Sequence, residues 1–306
     1  MNKVLIFGHK SPDTDTVTSA VVMANLENKL GVDAKACVLG KLNKETKYVF
    51  DYLKIDEPEF IQSVEEGQAV ILVDHNEFAQ SVDGIENAKI KKVVDHHRIC
   101  GLKTAEPLYY RAEPVGCTAT VLYKMYKENN VEIEKNIAIL MLSAIISDTL
   151  LFKSPTCTKE DIKVAEELNK IANINIQEYG LDMLKAGTDV SDLSADELIG
   201  LDAKEVTIGN YKTIIAQVNT ASIPDMLKRK EELERSINKK IEEKGLDLFF
   251  LAITDIINSN SQVIALGKEA KLVEKSYNVT LEENTAFLPG IVSRKKQIIP
   301  VLTQNA

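Results

Sequence analysis

The amino-terminal half of the chain alternates short, β-branched apolar runs with longer amphipathic ones, and this order restricts the fold more than any other feature. "VLIFG" (4–8), "AKACVLG" (34–40), "AVILVDHN" (69–76) and "KKVVDHH" (91–97) have the character of strands buried on both faces. Between the first two, residues 16–30 place Val17, Ala20, Val21 and Ala24 at helical spacing and close on Gly31. Further helices are predicted over 45–54, 117–129, 135–147, 158–171 and 176–186. Strands alternating with helices form right-handed βαβ units. The expected fold class is therefore α/β, with a mainly parallel sheet flanked by helices in the N-terminal domain.

A polar stretch, "AGTDVSDLSADE" (186–197), interrupts this order, and its Gly, Ser and Asp content suits a linker. Beyond it the order changes. A hairpin is predicted over 205–218 with Gly209-Asn210 at its turn, then a charged helix over 223–244. In that helix Met226, Leu233, Ile237 and Ile241 form one apolar stripe, so its mixed charges mark a solvated face. Strands in "LFFLAITDII" and "QVIALG", a helix near 268–277 and strands around 291–303 complete a smaller mixed α/β C-terminal domain. The expected domains are 1–187, a linker over 188–196, and 197–306, in keeping with a length of 306 residues.

Hydrophobic content of 44% with 27% charged residues fits a soluble protein with a sizeable core. No apolar run approaches a membrane span and no signal-peptide pattern opens the chain, so a cytoplasmic protein without a membrane partner is expected. A net charge of −9 and the lack of Trp argue against a nucleic-acid partner. Cys37, Cys100, Cys117 and Cys157 are unevenly spaced, which suits reduced core thiols better than a disulfide framework or a thiolate zinc site. Cys117 stands out because "EPVGCTAT" places it beside a helix start.

All four histidines sit in acid-rich clusters. His9 precedes Asp13 and Asp15, His75 follows Asp74, and His96 and His97 follow Asp95. Asp148 interrupts the apolar "SAIISDTLLF". Three of these clusters fall just past the carboxyl ends of predicted parallel strands, where loops of an open α/β sheet converge on one crevice. Either Asp13 or Asp15 alone could be no more than a helix N-cap, and Asp148 alone a buried hydrogen-bonding residue. Gathered in one crevice, such carboxylates repel one another unless cations satisfy them. Imidazole and carboxylate without thiolate suit Mn²⁺ or Co²⁺. The surplus of ligands suits a pair of ions roughly 3.5–4 Å apart, whose shared water ionises near neutral pH.

At these residues a family resemblance appears. "GHKSPDTDT", "VDHN", "VVDHHR", "EPVGCTAT" and "SDTLLFKSPT" together resemble the DHH phosphoesterase superfamily. With the closing "GIVSRKKQ", the set is similar to the family II, manganese-dependent inorganic pyrophosphatases, in order from residue 8 to residue 297. The resemblance implies hydrolysis of pyrophosphate to two phosphates by a hydroxide bridging two divalent metals per subunit, Mn²⁺ or Co²⁺, with Mg²⁺ arriving with the substrate. It implies one metal on His9, Asp13 and Asp74 and the other on Asp15, Asp74, His96 and Asp148, which makes Asp74 the bridge. His97 would face a phosphate oxygen, while Lys204 in "LDAKEV", with Arg294 and Lys295 in "SRKKQ", would clamp the substrate from the second domain. His75 and Asp95 are expected to orient ligands. A homodimer joined through the N-terminal domain is also implied.

Charge balance points the same way. Four ligand carboxylates nearly cancel two divalent ions, so a tetra-anionic substrate needs basic groups from elsewhere, and Arg suits bidentate phosphate contact. The rival activities are those of other DHH phosphoesterases. The nuclease branch typically ends in a Gly-rich, His-containing segment, and no His follows His97. An exopolyphosphatase would use a similar centre and clamp. A non-catalytic metal or phosphate sensor would not need both ligand sets and the clamp.

Overall fold

In the computed structural model, which describes residues 3–104 and 106–306, the apolar runs of the first half pair into one parallel sheet. Its strands are β1 (Val4–Phe7), β2 (Ala34–Val38), β3 (Glu59–Phe60), β4 (Ala69–Val73), β5 (Lys89–Asp95) and β6 (Tyr109–Ala112). The order across the sheet is β3-β2-β1-β4-β5-β6. Ile6, Phe7, Ile71, Leu72, Val73, Val93 and Val94 are buried, as a sheet covered by helices requires. The covering helices are α1 (Thr14–Lys29), α2 (Lys44–Leu53), α3 (Thr118–Glu128), α4 (Lys135–Asp148), α5 (Lys159–Ala172) and α6 (Ile176–Gly187). Every residue of α4 from Ile137 to Ile146 is buried. A helix apolar on all sides belongs inside a layer, and α4 packs against both α1 and α5.

The strand order determines where a ligand can bind. From β1 the chain winds outward through β2 to β3, then returns to place β4 on the other side of β1. The loops after β1 and β4 therefore diverge and leave a crevice at their carboxyl ends, the topological switch point of an open α/β sheet. His9 and Asp13 follow β1, Asp74 follows β4, and His96 and His97 follow β5.

The chain divides into two compact units, Met1–Gly187 and Thr188–Ala306. The second has a mixed sheet of β7 (Ala203–Ile208), β8 (Tyr211–Thr220), β9 (Leu248–Asp255), β10 (Asn260–Leu266) and β11 (Thr285–Pro289), ordered β11-β10-β9-β8-β7. The β8–β9 pair is parallel and the others antiparallel. All eight residues of β9 are buried, because both faces are covered. Phe249, Leu251 and Ile253 pack under α7 (Ala195–Leu198), α8 (Ile223–Leu227) and α9 (Lys230–Lys244). Leu248, Phe250 and Ala252 pack with α10 (Lys271–Tyr277) and the carboxy-terminal segment.

Two expectations are corrected. Strands around 291–303 do not form: Arg294–Ile298 is a π-helical turn that runs into α11 (Ile299–Asn305). Ile298 and Leu302, four residues apart, share a helix face buried on the sheet, and Pro300 sits in the first turn where proline is tolerated. The helix expected over 223–244 is two helices, broken at Lys228 and Arg229. Near the end of the 188–196 stretch, Ser194 caps α7 with a capping box completed by Glu197.

Candidate metal centre

The loop after β1 and the start of α1 place the first acids. Asp13 is the N-cap of α1, and its Oδ1 accepts from the Thr16 amide at 3.0 Å. Its Oδ2 lies 3.4 Å from His9 Nε2. One carboxylate therefore caps a helix and faces a histidine. Asp15, fully buried in the first turn, accepts from Ser19 Oγ (2.6 Å) and the Thr118 amide (2.7 Å). Asp74 immediately follows β4 with φ +59°, a left-handed conformation that costs roughly 1–2 kcal/mol for a residue with a Cβ. Thr16 Oγ1 donates to its Oδ2 (2.6 Å) and Thr118 Oγ1 to its Oδ1 (3.0 Å).

The histidines meet these acids through one nitrogen each. His9 Nδ1 lies 2.8 Å from the Lys10 carbonyl, and His96 Nδ1 lies 3.0 Å from that of Val115. A carbonyl only accepts, so both rings keep hydrogen on Nδ1 and turn Nε2 toward the carboxylates. His9 Nε2 is 3.5 Å from Asp74 Oδ2. His96 Nε2 is 3.4 Å from Asp74 Oδ1, 3.6 Å from Asp148 Oδ2 and 4.0 Å from Asp15 Oδ2. Asp74 thus turns one oxygen to each histidine.

These groups fit divalent ions. Ligand atoms about 2.1 Å from a shared ion lie about 3.0–3.4 Å apart, close to the spacings here. Three sets have ligand atoms within 4.8 Å of one another: His9, Asp13 and Asp74; Asp15, His96 and Asp148; and Asp74, His96 and His97. Burial and the neighbouring charges pull the titration of His9 and His96 in opposite directions. Burial disfavours charge on His9, yet Asp13 and Asp74 outweigh it and push its pKa up to about 11. The same balance, with Asp74 and Asp15, brings His96 to about 9. Burial and neighbouring carboxylates raise Asp15 and Asp148, whereas contacts with His9 and His96 overcome burial and lower Asp74.

Comparison with known proteins agrees with this geometry. Residues 3–145 match the model of the DHH family, N-terminal domain, and residues 181–305 match the DHHA2 domain. The chain is 60% identical over 304 residues to the manganese-dependent inorganic pyrophosphatase of Bacillus subtilis (strain 168), covering 99% of this chain and 98% of the relative. This chain belongs to the family II, manganese-dependent inorganic pyrophosphatases of the DHH superfamily. The crystal structure of a Methanococcus jannaschii protein assigned to the same family aligns over 98% of both chains, with 39% identity and a TM-score of 0.62. An exopolyphosphatase-related protein of Bacteroides fragilis shares the fold at 15% identity and a TM-score of 0.50.

The other residues singled out in this family II chain fall into three groups. Asp95 accepts from both the amide and Nδ1 of His97 (3.0 and 2.9 Å), from the His96 amide (2.8 Å) and from Asn76 Nδ2 (2.6 Å). The bond to Asp95 raises the pKa of His97, whose ring is half exposed. In the second unit Lys204 is exposed on edge strand β7. Arg294 bonds to the carbonyl and, at 2.7 Å, to Oδ1 of Asp202, two residues before Lys204. Lys295 is exposed in the adjacent π-helical turn.

His75 departs from its expected role. Its Nδ1 bonds the Val73 carbonyl (2.9 Å) and its Nε2 bonds Ser81 Oγ (3.0 Å), and burial lowers its pKa. It is a satisfied core histidine and does not orient Asp74. Cys117 is fully buried, its thiol pushed well up by burial and then by Asp15 and Asp148, and it joins none of the ligand sets among the described residues. Sequence reasoning missed the hydroxyls. Thr16, Ser19 and Thr118 each hold a ligand carboxylate, and for the first two the available signal was a helix start, "TDTVTS", too polar for the burial its neighbours imply.

Proposed function

We propose that the chain hydrolyses inorganic pyrophosphate to two phosphates in a metal-dependent reaction. The observation that carries this reading is Asp74, whose oxygens face different imidazoles and so belong to two ligand sets. Mn²⁺ or Co²⁺ suits the donors. We assign two ions per subunit: one held by His9, Asp13 and Asp74, the other by Asp15, Asp74, His96 and Asp148, with Mg²⁺ entering on the substrate. Such a pair, when bound, supplies an activated water and Lewis-acid stabilisation of phosphoryl oxygens. The remaining work belongs to the chain. Asp95 occupies His97 Nδ1, which leaves Nε2 to donate to a phosphate oxygen. Lys204, Arg294 and Lys295 supply positive charge to the leaving phosphate, where it counts most as charge develops.

The assembly we propose is a homodimer formed through the amino-terminal unit. Among the described residues its sheet ends at the outer edge of β6, which carries exposed Tyr109, and Ile99 is exposed in the loop after β5. No helix among the described residues is long and apolar enough to cross a membrane.

One assay tests the function: phosphate release from pyrophosphate, tripolyphosphate and a linear dinucleotide, after chelation and readdition of Mn²⁺, Co²⁺ or Mg²⁺. Pyrophosphate with Mn²⁺ or Co²⁺ is expected to be fastest. Faster release from tripolyphosphate would make the chain an exopolyphosphatase, and equal activity in rigorously transition-metal-free Mg²⁺ would refute the metal assignment.

A further inference from the structure

Glu45, in the first turn of α2, is a partly buried carboxylate that belongs to none of the three ligand sets. Its Oε1 accepts from Thr14 Oγ1 at 2.7 Å and from Ser147 Oγ at 2.5 Å. Thr14 stands between Asp13 and Asp15, and Ser147 immediately precedes Asp148. A single oxygen therefore ties together the two chain segments that carry three ligands. The other side of Glu45 rests against the end of α6. A Cβ built on Gly187 would lie 2.8 Å from Oε2 and 2.9 Å from the Cβ of Glu45, so position 187 has no room for a side chain unless Glu45 moves.

The way the ligands are held makes this contact matter. Asp15 and Asp74 each receive hydrogen bonds from hydroxyls and, for Asp15, an amide, which fix their carboxylates directly. Among the described residues no hydroxyl donates to Asp148. Asp148 meets Asp15 and His96, and the end of α4 that carries it is tied through Ser147 to Glu45.

We propose that Glu45 is a positioning residue for the metal centre: it holds the Asp13–Asp15 segment and Asp148 at the separation needed for ion binding, and Gly187 keeps it in place. The inference rests on the metal reading above. It needs an oxygen acceptor at Oε1 rather than a negative charge, since both hydroxyls can also donate to an amide oxygen, although less strongly than to a carboxylate.

The test is Mn²⁺ titration of the full chain, by calorimetry and by electron paramagnetic resonance of the free ion, for wild type, Glu45→Ala, Glu45→Gln and Gly187→Ala. Glu45→Ala is expected to weaken Mn²⁺ binding about tenfold or more, and Glu45→Gln to stay within about twofold of wild type. Gly187→Ala should also weaken binding, and because its methyl group displaces Glu45 it can lower the metal-free melting temperature as well, so binding is read on the folded variant. If wild type binds no Mn²⁺, the metal reading falls and this inference with it. If wild type binds but Glu45→Ala and Gly187→Ala match it, the positioning role alone is wrong. A folded Glu45→Gln as weak as Glu45→Ala would likewise reject it in favour of a role for charge. Should Glu45→Ala fail to fold, Gly187→Ala and Ser147→Ala decide, each expected to bind Mn²⁺ more weakly and each counting against the proposal if it does not.

Discussion

Asp13 shows why single residues here resist one-word roles. A carboxylate has two oxygens, so capping α1 and facing His9 are compatible, and the choice between cap and ligand that the sequence poses is not a choice in the fold. Asp74 extends the point, because its oxygens serve different histidines. Asp74→Asn is therefore expected to reduce occupancy at both metal positions, whereas His9→Gln should empty mainly one. Elemental analysis of the purified, folded variants distinguishes these outcomes, and full occupancy in the Asp74 variant would show the bridge to be misassigned. The histidines add a pH dependence. With pKa values near 11 and 9, His9 and His96 are protonated at pH 7 in the metal-free protein, yet an ion needs the Nε2 lone pair. Mn²⁺ binding should release protons and tighten as pH rises toward about 9. Calorimetry in buffers of different ionisation enthalpy reads this directly, with proton uptake as the contrary result.

At the scale of elements, the amino-terminal half was legible because buried parallel strands leave unbroken β-branched runs, and the runs of β1 and β2 are each followed by a clear helical period. The elements that escaped notice carry weak signals. β3 is a two-residue strand, and β6 is an edge strand of polar and aromatic residues. The carboxy-terminal segment misled because "IVSRKKQIIPVL" is rich in β-branched residues, while its actual conformation follows from the sheet face that Ile298 and Leu302 must cover. The turn after Asp148 was likewise hidden. Leu150, Leu151 and Phe152 have φ of +47°, +54° and +68°, conformations that no apolar sequence advertises.

The segment before α3 was recognised as a motif but not as the support it provides. The Val115 carbonyl orients His96, the Gly116 amide donates to buried Asp161 (2.9 Å), and Thr118 holds Asp15 and Asp74. A Cβ at Gly116 would stand 2.7 Å from Asp161 Oδ2 and 3.1 Å from the Thr156 carbonyl. Gly116→Ala should cost about 1–3 kcal/mol of stability and weaken the ion position served by His96. A denaturant melt combined with Mn²⁺ titration checks both, and wild-type behaviour in the two measurements would mean that the loop absorbs the methyl group.

For the whole molecule, the two units hold different kinds of charge. All the acids and histidines of the ligand sets lie in Met1–Gly187, and the three proposed phosphate-binding cations lie in Thr188–Ala306. Under the proposed function the two properties are separable. Arg294→Ala should retain the metal content of wild type while losing both affinity for pyrophosphate and turnover, because its contact strengthens as the leaving phosphate gains charge. Metal analysis with steady-state kinetics on the full chain makes the test, and unaltered kcat/KM would remove Arg294 from the reaction.

Arg294 is also already partnered. Its guanidinium bonds Asp202 through the backbone carbonyl and the carboxylate, and the two residues belong to the same unit, so this rival anion is tethered beside it. Under the proposed role, phosphate takes the guanidinium by exchange with Asp202, and Asp202 reclaims it when phosphate departs. The exchange lowers the affinity of Arg294 for substrate and product phosphate alike. Under that role, departure of the product is a swap of one anion for another at Arg294.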